Sequence, residues 1–375
     1  MSFFVLPPEL VYLIIECLPV QDLWNLYNTC KELRDCTVPF LFRSIEIRFE
    51  GSIPAKLNSR RLTSPPTRLL ELLSDCAIHV REIDVWGDED EIEQQFIDLL
   101  PQFTSLSGFR VSYPPDTSSF QVLLAQLAGV PSLRQLSLDY MSPRTWVLPT
   151  SFQSLRGLYL SCIEHEPGVS ILPHLPALET LDLNFCCYCL DCPRNGRLPC
   201  TVLQFNQLPK LRGLSISGAR EGNVICSGQS VGLQELEITF SEGLSLNSLL
   251  TAAGTNLEKI RLFDCDFLRE GPMPHRVYPM LRHLVIVDSV SGLIAFQFAE
   301  LPSSVRFSVH IHAEDLESVG NPSQLTDLLG SHTVDLWLSG PNDPHQIQDW
   351  TCYLAAMPNV RLKGPNWLKA QETYF

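Results

Sequence analysis

A pattern of apolar side chains, apolar-x-x-apolar-x-apolar, recurs from residue 80 toward the end of the chain and constrains the fold more than any other feature. Clear copies begin at Leu133, Leu155, Leu178, Leu211, Leu233, Leu257 and Leu281, and weaker ones at Val80, Leu106 and Met357, with a partial copy at Leu336. The central apolar residues from position 83 to position 284 lie 22 to 33 residues apart, and only one step exceeds 27. A phase kept over so long a stretch indicates one structural unit repeated along the chain.

Each copy predicts a short β-strand followed by a return segment, because its last two apolar residues alternate with polar ones. The period and the leucines are typical of leucine-rich repeats, whose strands pair in parallel around a continuous core. The asparagine or cysteine expected after the strand is Cys186 or Cys265 in two copies but Ala219 or Ser289 in others, so the repeats are irregular. Helical returns are predicted at 67–74, 89–100, 119–127, 246–253, 323–329 and 346–355. The predicted fold class is α/β, with an N-terminal helical segment followed by an irregular leucine-rich-repeat solenoid, a curved parallel sheet with a helical or irregular outer face.

The side chains between the leucines are expected on the concave face of this sheet. They include Trp86, Asp139, Tyr159, Asp182, Glu235, Glu237, Arg261, Phe263 and Trp337. Exposed aromatic residues mixed with charges favour a surface that binds a target protein, whereas strand positions facing solvent are polar in any case.

Charge restricts the classes of partner. The chain has 375 residues, with 27 basic and 42 acidic side chains, a net charge of −15 and a pI near 5.0. Binding of nucleic acid or of an anionic membrane needs a basic face, so we expect neither partner, and a basic region on the target is the mild expectation. We see no signal peptide or membrane-spanning stretch, and thirteen cysteines fit a reducing cytoplasmic or nuclear compartment.

The first fifty residues predict three short helices. Residues 6–18 place apolar side chains three and four apart, Pro8 suits a first helical turn, and Pro19 ends the helix. Asp22 is the expected N-cap of a second helix, and a third is expected to begin at Lys31 and end before Pro39. So small a unit is usually completed by a partner or by the neighbouring domain.

This segment resembles an F-box, particularly the type found in fungal proteins. The resemblance covers residues 5–47 and rests on Leu6-Pro7-x-Glu9-Leu10, Ile14, Leu18, Asp22-Leu23, Leu26, Cys30-Lys31-x-Leu33-Arg34 and Pro39-x-Leu41-Phe42. It implies docking onto the Skp adaptor of a cullin–RING ubiquitin ligase. The adaptor-binding candidates that it implies are Leu6, Pro7, Leu10, Ile14, Leu18, Leu23, Leu26, Cys30 and Leu33. The corresponding domains are an F-box at 1–48, a linker at 49–67 and the repeats with a C-terminal cap at 68–375.

Cysteines cluster in the longest spacing between repeats, the 33 residues from Leu181 to Leu214. Cys186, Cys189, Cys192 and Cys200 offer four thiolates, but a second well-spaced pair is missing, so a thiol-rich loop is favoured over a zinc site.

His310 and His312 have no third ligand at suitable spacing and are expected to be ordinary surface histidines. Common catalytic and nucleotide-binding motifs do not occur, and we expect neither enzymatic activity nor a cofactor.

The predicted function is that of a substrate-recognition subunit of a Skp–cullin–F-box ubiquitin ligase. Two alternatives stay open. One is a leucine-rich-repeat scaffold acting outside the ligase, and the other is a zinc or thiol protein centred on residues 186–200.

Overall fold

The computed structural model forms two compact units, residues 1–162 and 163–375. It describes residues 6–50, 53–57, 60–61, 66–86, 94–112, 117–139, 148–149, 152–161, 172, 175–185, 201–221, 224–268, 276–289, 291, 299–302, 304–312, 332–339 and 358–363. The four cysteines of the 186–200 loop, the predicted helices at 323–329 and 346–355, and the C-terminal tail lie outside these residues. No helix in the described ranges is long and apolar enough to span a membrane.

The first unit begins with three helices, α1 (Pro8–Glu16), α2 (Val20–Tyr27) and α3 (Lys31–Leu41). Proline lies in the first turn of α1 beside Glu9, where a missing N–H and a negative charge are both tolerated. The helices pack through Val11, Ile15, Leu23 and Leu41, all of which are buried.

The ends of two helices differ from the sequence prediction. The N-cap of α2 is Pro19, so Asp22 lies inside the first turn, where its charge still complements the positive end of the helix. Helix α3 continues through Pro39 to Leu41. Tertiary packing outweighs the local proline signal there, because Leu41 and Phe42 are both buried in the core.

The strands of the first unit are β1 (Ser44–Glu50), β2 (Ile53–Leu57), β3 (Arg60–Arg61), β4 (Glu82–Trp86), β5 (Gly108–Ser112), β6 (Gln135–Asp139) and β7 (Gly157–Ser161). Strands β1, β4, β5, β6 and β7 pair in parallel in that order, and β2 and β3 extend the β1 edge antiparallel. Strand β1 starts four residues before the predicted boundary at residue 48, and β2 and β3 lie inside the predicted linker.

Three helices connect these strands: α4 (Pro66–Cys76), α5 (Gln94–Leu99) and α6 (Thr117–Ala128). They correspond to the helical returns predicted at 67–74, 89–100 and 119–127. The described part of the second return is shorter than predicted, because residues 87–93 lie outside the described ranges.

The second unit repeats the same construction. Its elements are β8 (Thr180–Asn184), β9 (Thr201–Gln204), β10 (Gly213–Ser217), β11 (Val224–Ser227), β12 (Glu235–Thr239), β13 (Glu242–Leu244), α7 (Leu246–Ala253), β14 (Lys259–Phe263), β15 (Asp266–Phe267), β16 (Arg276–Val277), β17 (His283–Val287), β18 (Ala299–Glu300), β19 (Arg306–His312), β20 (Val334–Ser339) and β21 (Val360–Lys363). Strands β8, β10, β12, β14, β17, β19, β20 and β21 form a parallel sheet in that order. Short parallel pairs, β9 with β11, β13 with β15 and β16 with β18, lie in the return segments.

The leucines of the repeat pattern form the core, as predicted. In β12, Leu236 and Ile238 are buried, while Glu235 is exposed and Glu237 is half-buried. The same alternation holds in β4, β10 and β14. We call the side carrying the first, third and fifth side chains of these strands the polar face.

Small hydrogen-bonding side chains line the repeat just after the strands. The Ser241 hydroxyl donates to the Thr239 carbonyl and accepts from the Ala219 N–H at 3.2 Å. The Cys265 thiol donates to the Ile238 carbonyl at 3.4 Å, and burial raises the pKa of this thiol to about 12, which keeps it a neutral donor. Ser289 donates in turn to the Cys265 carbonyl at 2.8 Å. Cys265 is the residue that the repeat pattern predicts at this position, and serine replaces it in the neighbouring repeats. Both side chains hydrogen-bond to the backbone and so connect successive repeats.

A row of left-handed residues follows the strands of the second unit. Gly218, Phe240, Asp264 and Asp288 have φ angles of 65°, 50°, 48° and 47°. Each N–H donates to the carbonyl of the fifth residue of the next strand. The four acceptors are Thr239, Phe263, Val287 and His310. The left-handed conformation therefore turns the chain out of the sheet while preserving one more inter-strand hydrogen bond.

Candidate functional site

One side of helix α1 presents a continuous row of exposed apolar side chains. Leu10, Leu13 and Ile14 are 46%, 57% and 41% exposed, whereas Val11 and Ile15 on the opposite side are buried. Leu6 before α1 and Val20 at the start of α2 are also exposed. We call Leu6, Leu10, Leu13, Ile14 and Val20 the helical apolar face. Grouped exposed aliphatic residues of this kind are typical of an interaction surface, in contrast to single exposed leucines.

The nine adaptor-binding candidates differ in solvent exposure. Those exposed are Leu6, Pro7, Leu10 and Ile14, and those half-buried are Leu18, Leu26, Cys30 and Leu33. Leu23 is buried and belongs to the core of the three helices, so its side chain is not available to a partner. Leu13 and Val20 were not among the candidates, although Leu13 follows Leu10 by three residues and so shares its side of the helix.

An ion-paired network occupies the polar face of the first unit. Arg110 Nε lies 2.6 Å from the carboxylate of Asp139, which also accepts a hydrogen bond from the Ser112 hydroxyl at 3.3 Å. The Arg48 guanidinium lies over the Trp86 ring, 5.3 Å from its centroid. Trp86 and Tyr159 are half-buried, as a contact surface requires.

The structure corrects the expectation that the Asp139 side chain lies exposed on the concave face. Its side chain is buried, because Arg110 from the neighbouring strand covers it. Asp139 therefore positions the Arg110 guanidinium, which is itself half-exposed. Nearby, burial raises the pKa of Asp84, and the Arg110 charge acts in the opposite direction.

On the polar face of the second unit, most acidic side chains lie beside cations. Glu237 pairs with Arg261 at 2.6 Å, Glu235 with Lys259 at 3.9 Å, and Asp335 with Lys363 at 3.7 Å. The parallel register explains the first two pairs, since their partners occupy the same position on adjacent strands, whereas Asp335 reaches Lys363 diagonally, two residues beyond its register partner Arg361. The predicted contact residues Glu235, Glu237 and Arg261 are thus brought together.

Asp182 is the predicted acidic residue for which no such pair is found in the described part of this face. Burial raises the pKa of Asp182 to about 6, the hydrogen bond from Ser215 opposes the rise, and the Glu237 charge adds to it. The negative charge at this position therefore weakens in mildly acidic solution.

Aromatic side chains lie toward the carboxyl ends of the strands. Phe263 and Trp337 are half-buried, and the Trp337 ring stacks on His310 with centroids 4.2 Å apart and planes 11° apart. His310 is buried, which corrects the expectation of an ordinary surface histidine. Burial lowers the pKa of His310 to about 4, so the ring is neutral at physiological pH.

Phe240 is a candidate contact residue that the sequence analysis missed. It is 50% exposed and has a φ of 50°, although a bulky side chain rarely adopts this conformation. Glycine or aspartate occupies the equivalent position in the adjoining repeats, at Gly218, Asp264 and Asp288. Strained residues of this kind are concentrated at functional sites.

Replacing Phe240 with asparagine is expected to raise the free energy of unfolding by about 1 kcal/mol, since left-handed backbone costs an ordinary residue about 1–2 kcal/mol and asparagine less. Equilibrium urea unfolding of the full chain measures the change. A lower stability would show that the packing of the phenyl ring outweighs the backbone strain.

The metal and thiol candidates can be followed only in the described part of the chain, which omits the 186–200 loop. There, no three histidine, cysteine or acidic side chains lie close enough to hold a metal ion. Burial raises the pKa of Cys76 to about 11 and that of Cys226 to about 12, so neither thiol is ionised near neutral pH.

Comparison with known proteins leaves the family open. No protein-family model matches the chain, and no curated protein sequence is significantly similar to it. Among solved structures, the chain is similar to an internalin (inlF) from Listeria monocytogenes, with 13% sequence identity and a TM-score of 0.35 over 77% of this chain and 88% of that one. At this identity and TM-score the similarity does not bear on function. The repeat fold is therefore established by the strand register, the buried leucines and the recurring turn hydrogen bonds.

Proposed function

We propose that the chain is the substrate-recognition subunit of a Skp–cullin–F-box ubiquitin ligase. The observation that carries the proposal is the helical apolar face, which lies on the segment whose sequence resembles an F-box. Leu6, Leu10 and Ile14 belong both to that resemblance and to the exposed set.

The physical argument for a partner is the cost of leaving this face in water. Burying the exposed half of a leucine or isoleucine contributes about 1 kcal/mol. The five side chains of the helical apolar face together contribute several kcal/mol toward association, which is a substantial part of what a protein interface requires. An apolar surface on the adaptor suits this face better than a charged one does.

The polar faces of the parallel sheets supply the second half of the proposal. Half-buried aromatic residues and cation–carboxylate pairs there suit a protein target. A subunit that binds the adaptor with its helices and a target with its sheet raises the local concentration of target lysines near the ubiquitin-carrying enzyme. In this proposal no residue of the chain makes or breaks a covalent bond.

The test is co-elution of the full-length protein with a purified Skp-type adaptor, first alone and then with the cullin. Formation of a complex containing all three proteins is expected. A stable adaptor complex that excludes the cullin would favour the leucine-rich-repeat scaffold acting outside the ligase. A folded protein that binds no adaptor would overturn the proposal.

A further inference from the structure

Three basic side chains form a row across adjacent strands of the second unit. Lys259 on β14 is in register with His283 on β17, which is in register with Arg306 on β19. Neighbouring strands lie about 4.8 Å apart, so the row spans roughly 10 Å at the amino ends of these strands. We call these three residues the basic row.

The charge of the basic row is incompletely neutralised. Lys259 has the 3.9 Å contact to Glu235, whose side chain is 62% exposed. Arg306 is exposed and forms no ion pair with another described residue, and His283 is exposed beside it. Exposed cations without a close carboxylate remain available to a partner.

The groups around His283 show the same excess of positive charge. Burial lowers the pKa of His283, and four cations, Lys259, Arg306, Arg261 and Arg282, lower it further. Arg261 is held by Glu237 at 2.6 Å, and Arg282 lies 3.9 Å from Glu258. The cations therefore outweigh these carboxylates at His283, although the whole chain carries a net charge of −15.

We propose that the basic row binds an acidic segment of the target protein, with carboxylates of that segment accepting hydrogen bonds from Lys259, His283 and Arg306. The inference rests on the proposed function in one respect, that the polar face holds a target. It reverses the expectation of a basic target, because most of the acidic residues of this face, Asp182 excepted, already lie beside cations.

The dimensions and the net charge both fit an extended acidic segment. Alternate residues of an extended chain are about 7 Å apart and point the same way, so two carboxylates separated by one residue span most of the row. Because the whole chain carries a net charge of −15, its average field repels an acidic segment while the basic row attracts it, which favours one orientation.

The experiment measures binding of a fluorescein-labelled peptide of alternating glutamate and serine to the full-length protein by fluorescence anisotropy. The matched peptide with glutamine in place of glutamate is the neutral control. Arg306→Glu is expected to weaken binding of the glutamate peptide at least ~10-fold, since a charge reversal at a contact cation replaces attraction with repulsion. Lys210→Glu, the same change at an exposed lysine before β10, is expected to leave binding within about two-fold.

Protonation of His283 provides a second readout. A bound carboxylate offsets the repulsion from the surrounding cations and so raises the pKa of His283, which means that binding takes up a proton. The affinity for the peptide is therefore expected to rise as the pH falls toward the pKa that His283 has in the unbound protein. His283→Gln is expected to remove most of this pH dependence.

Several results would overturn the inference. They are no binding of the glutamate peptide by the folded protein, equal binding of the glutamine peptide, and equal losses in Arg306→Glu and Lys210→Glu. An oligothymidylate strand of equal charge that bound more tightly than the peptide would also exclude an acidic protein segment as the preferred ligand. Adaptor binding is measured separately, so loss of the peptide with the adaptor retained would reject the basic row and leave the ligase proposal standing.

Discussion

The double variant Leu10→Asp/Ile14→Asp is expected to lose at least ~100-fold of its affinity for the Skp-type adaptor, equivalent to about 3 kcal/mol. Both side chains lie on the helical apolar face, and each substitution would place a carboxylate in an apolar interface, where desolvation of the charge is costly. Because both residues are exposed in the isolated chain, the three helices are expected to stay folded. Isothermal titration with the purified adaptor measures the loss.

The chain offers a matched control for this experiment. Val122 on α6 belongs to the same unit and is 41% exposed, the same fraction as Ile14. Val122→Asp is expected to leave adaptor affinity unchanged within about two-fold, because it lies outside the interface. If Val122→Asp weakened binding as much as the double variant, the helical apolar face would not be the docking surface.

The replacement of His310 by phenylalanine is expected to remove an acid-sensitive contribution to the stability of the second unit. Burial lowers the pKa of His310 from its ordinary value of 6.5 to about 4, so on acidification between these values only the unfolded chain takes up this proton. The histidine therefore carries no penalty above about pH 6.5, and stability is lost as the pH falls toward about 4. A shift of this size corresponds to about 2 kcal/mol after allowance for partial solvent access.

Urea unfolding of the wild type and the His310→Phe variant, near neutral pH and near pH ~4.5, measures this difference. The variant keeps an aromatic ring against Trp337, so it is expected to match the wild type near neutral pH and exceed it in acid. His310→Gln also removes the titration but loses the stack, and it is expected to be less stable than His310→Phe at both pH values. A pH-independent difference between wild type and His310→Phe would contradict the assignment.

Asp182 acts on stability in the opposite direction over the same range. Its pKa is raised to about 6 in the folded chain, so its contribution is present below its unfolded pKa and is lost as the pH rises through about 6. Comparing the wild type with a His310 variant cancels this effect, because both chains contain Asp182.

The repeat and its strands could be predicted from the sequence because their signal is local and periodic. Leu236 and Ile238 alternate with two glutamates and a threonine over five residues, and the copies around Leu214 and Ile260 share their spacing. Helix α7 was likewise predicted with its observed bounds, 246–253, from its apolar spacing. Its N-cap, the Ser245 hydroxyl accepting from the Ser248 N–H, is a local feature of the same kind.

Features set by a neighbouring repeat could not be read from the sequence. Asp139 looks like any polar strand residue, yet Arg110, 29 positions earlier, covers it. Leu23 and Leu10 are both apolar residues of short helices, and only the packing of three helices decides which is buried. The left-handed backbone at Phe240 could not be predicted either, because phenylalanine rarely adopts this conformation.

The five-residue length of most parallel strands separates two kinds of evolutionary change. Strands β4, β5, β6, β7 and β8 all have five residues, whereas the segments between them differ in length. Insertions and deletions in the returns therefore leave the strand register unchanged, so they need not disturb the side chains that meet a partner. A point substitution on the polar face, by contrast, changes one side chain while the strand register keeps the neighbouring side chains in place. Binding specificity can thus diverge one position at a time, while the outer segments lengthen or shorten independently.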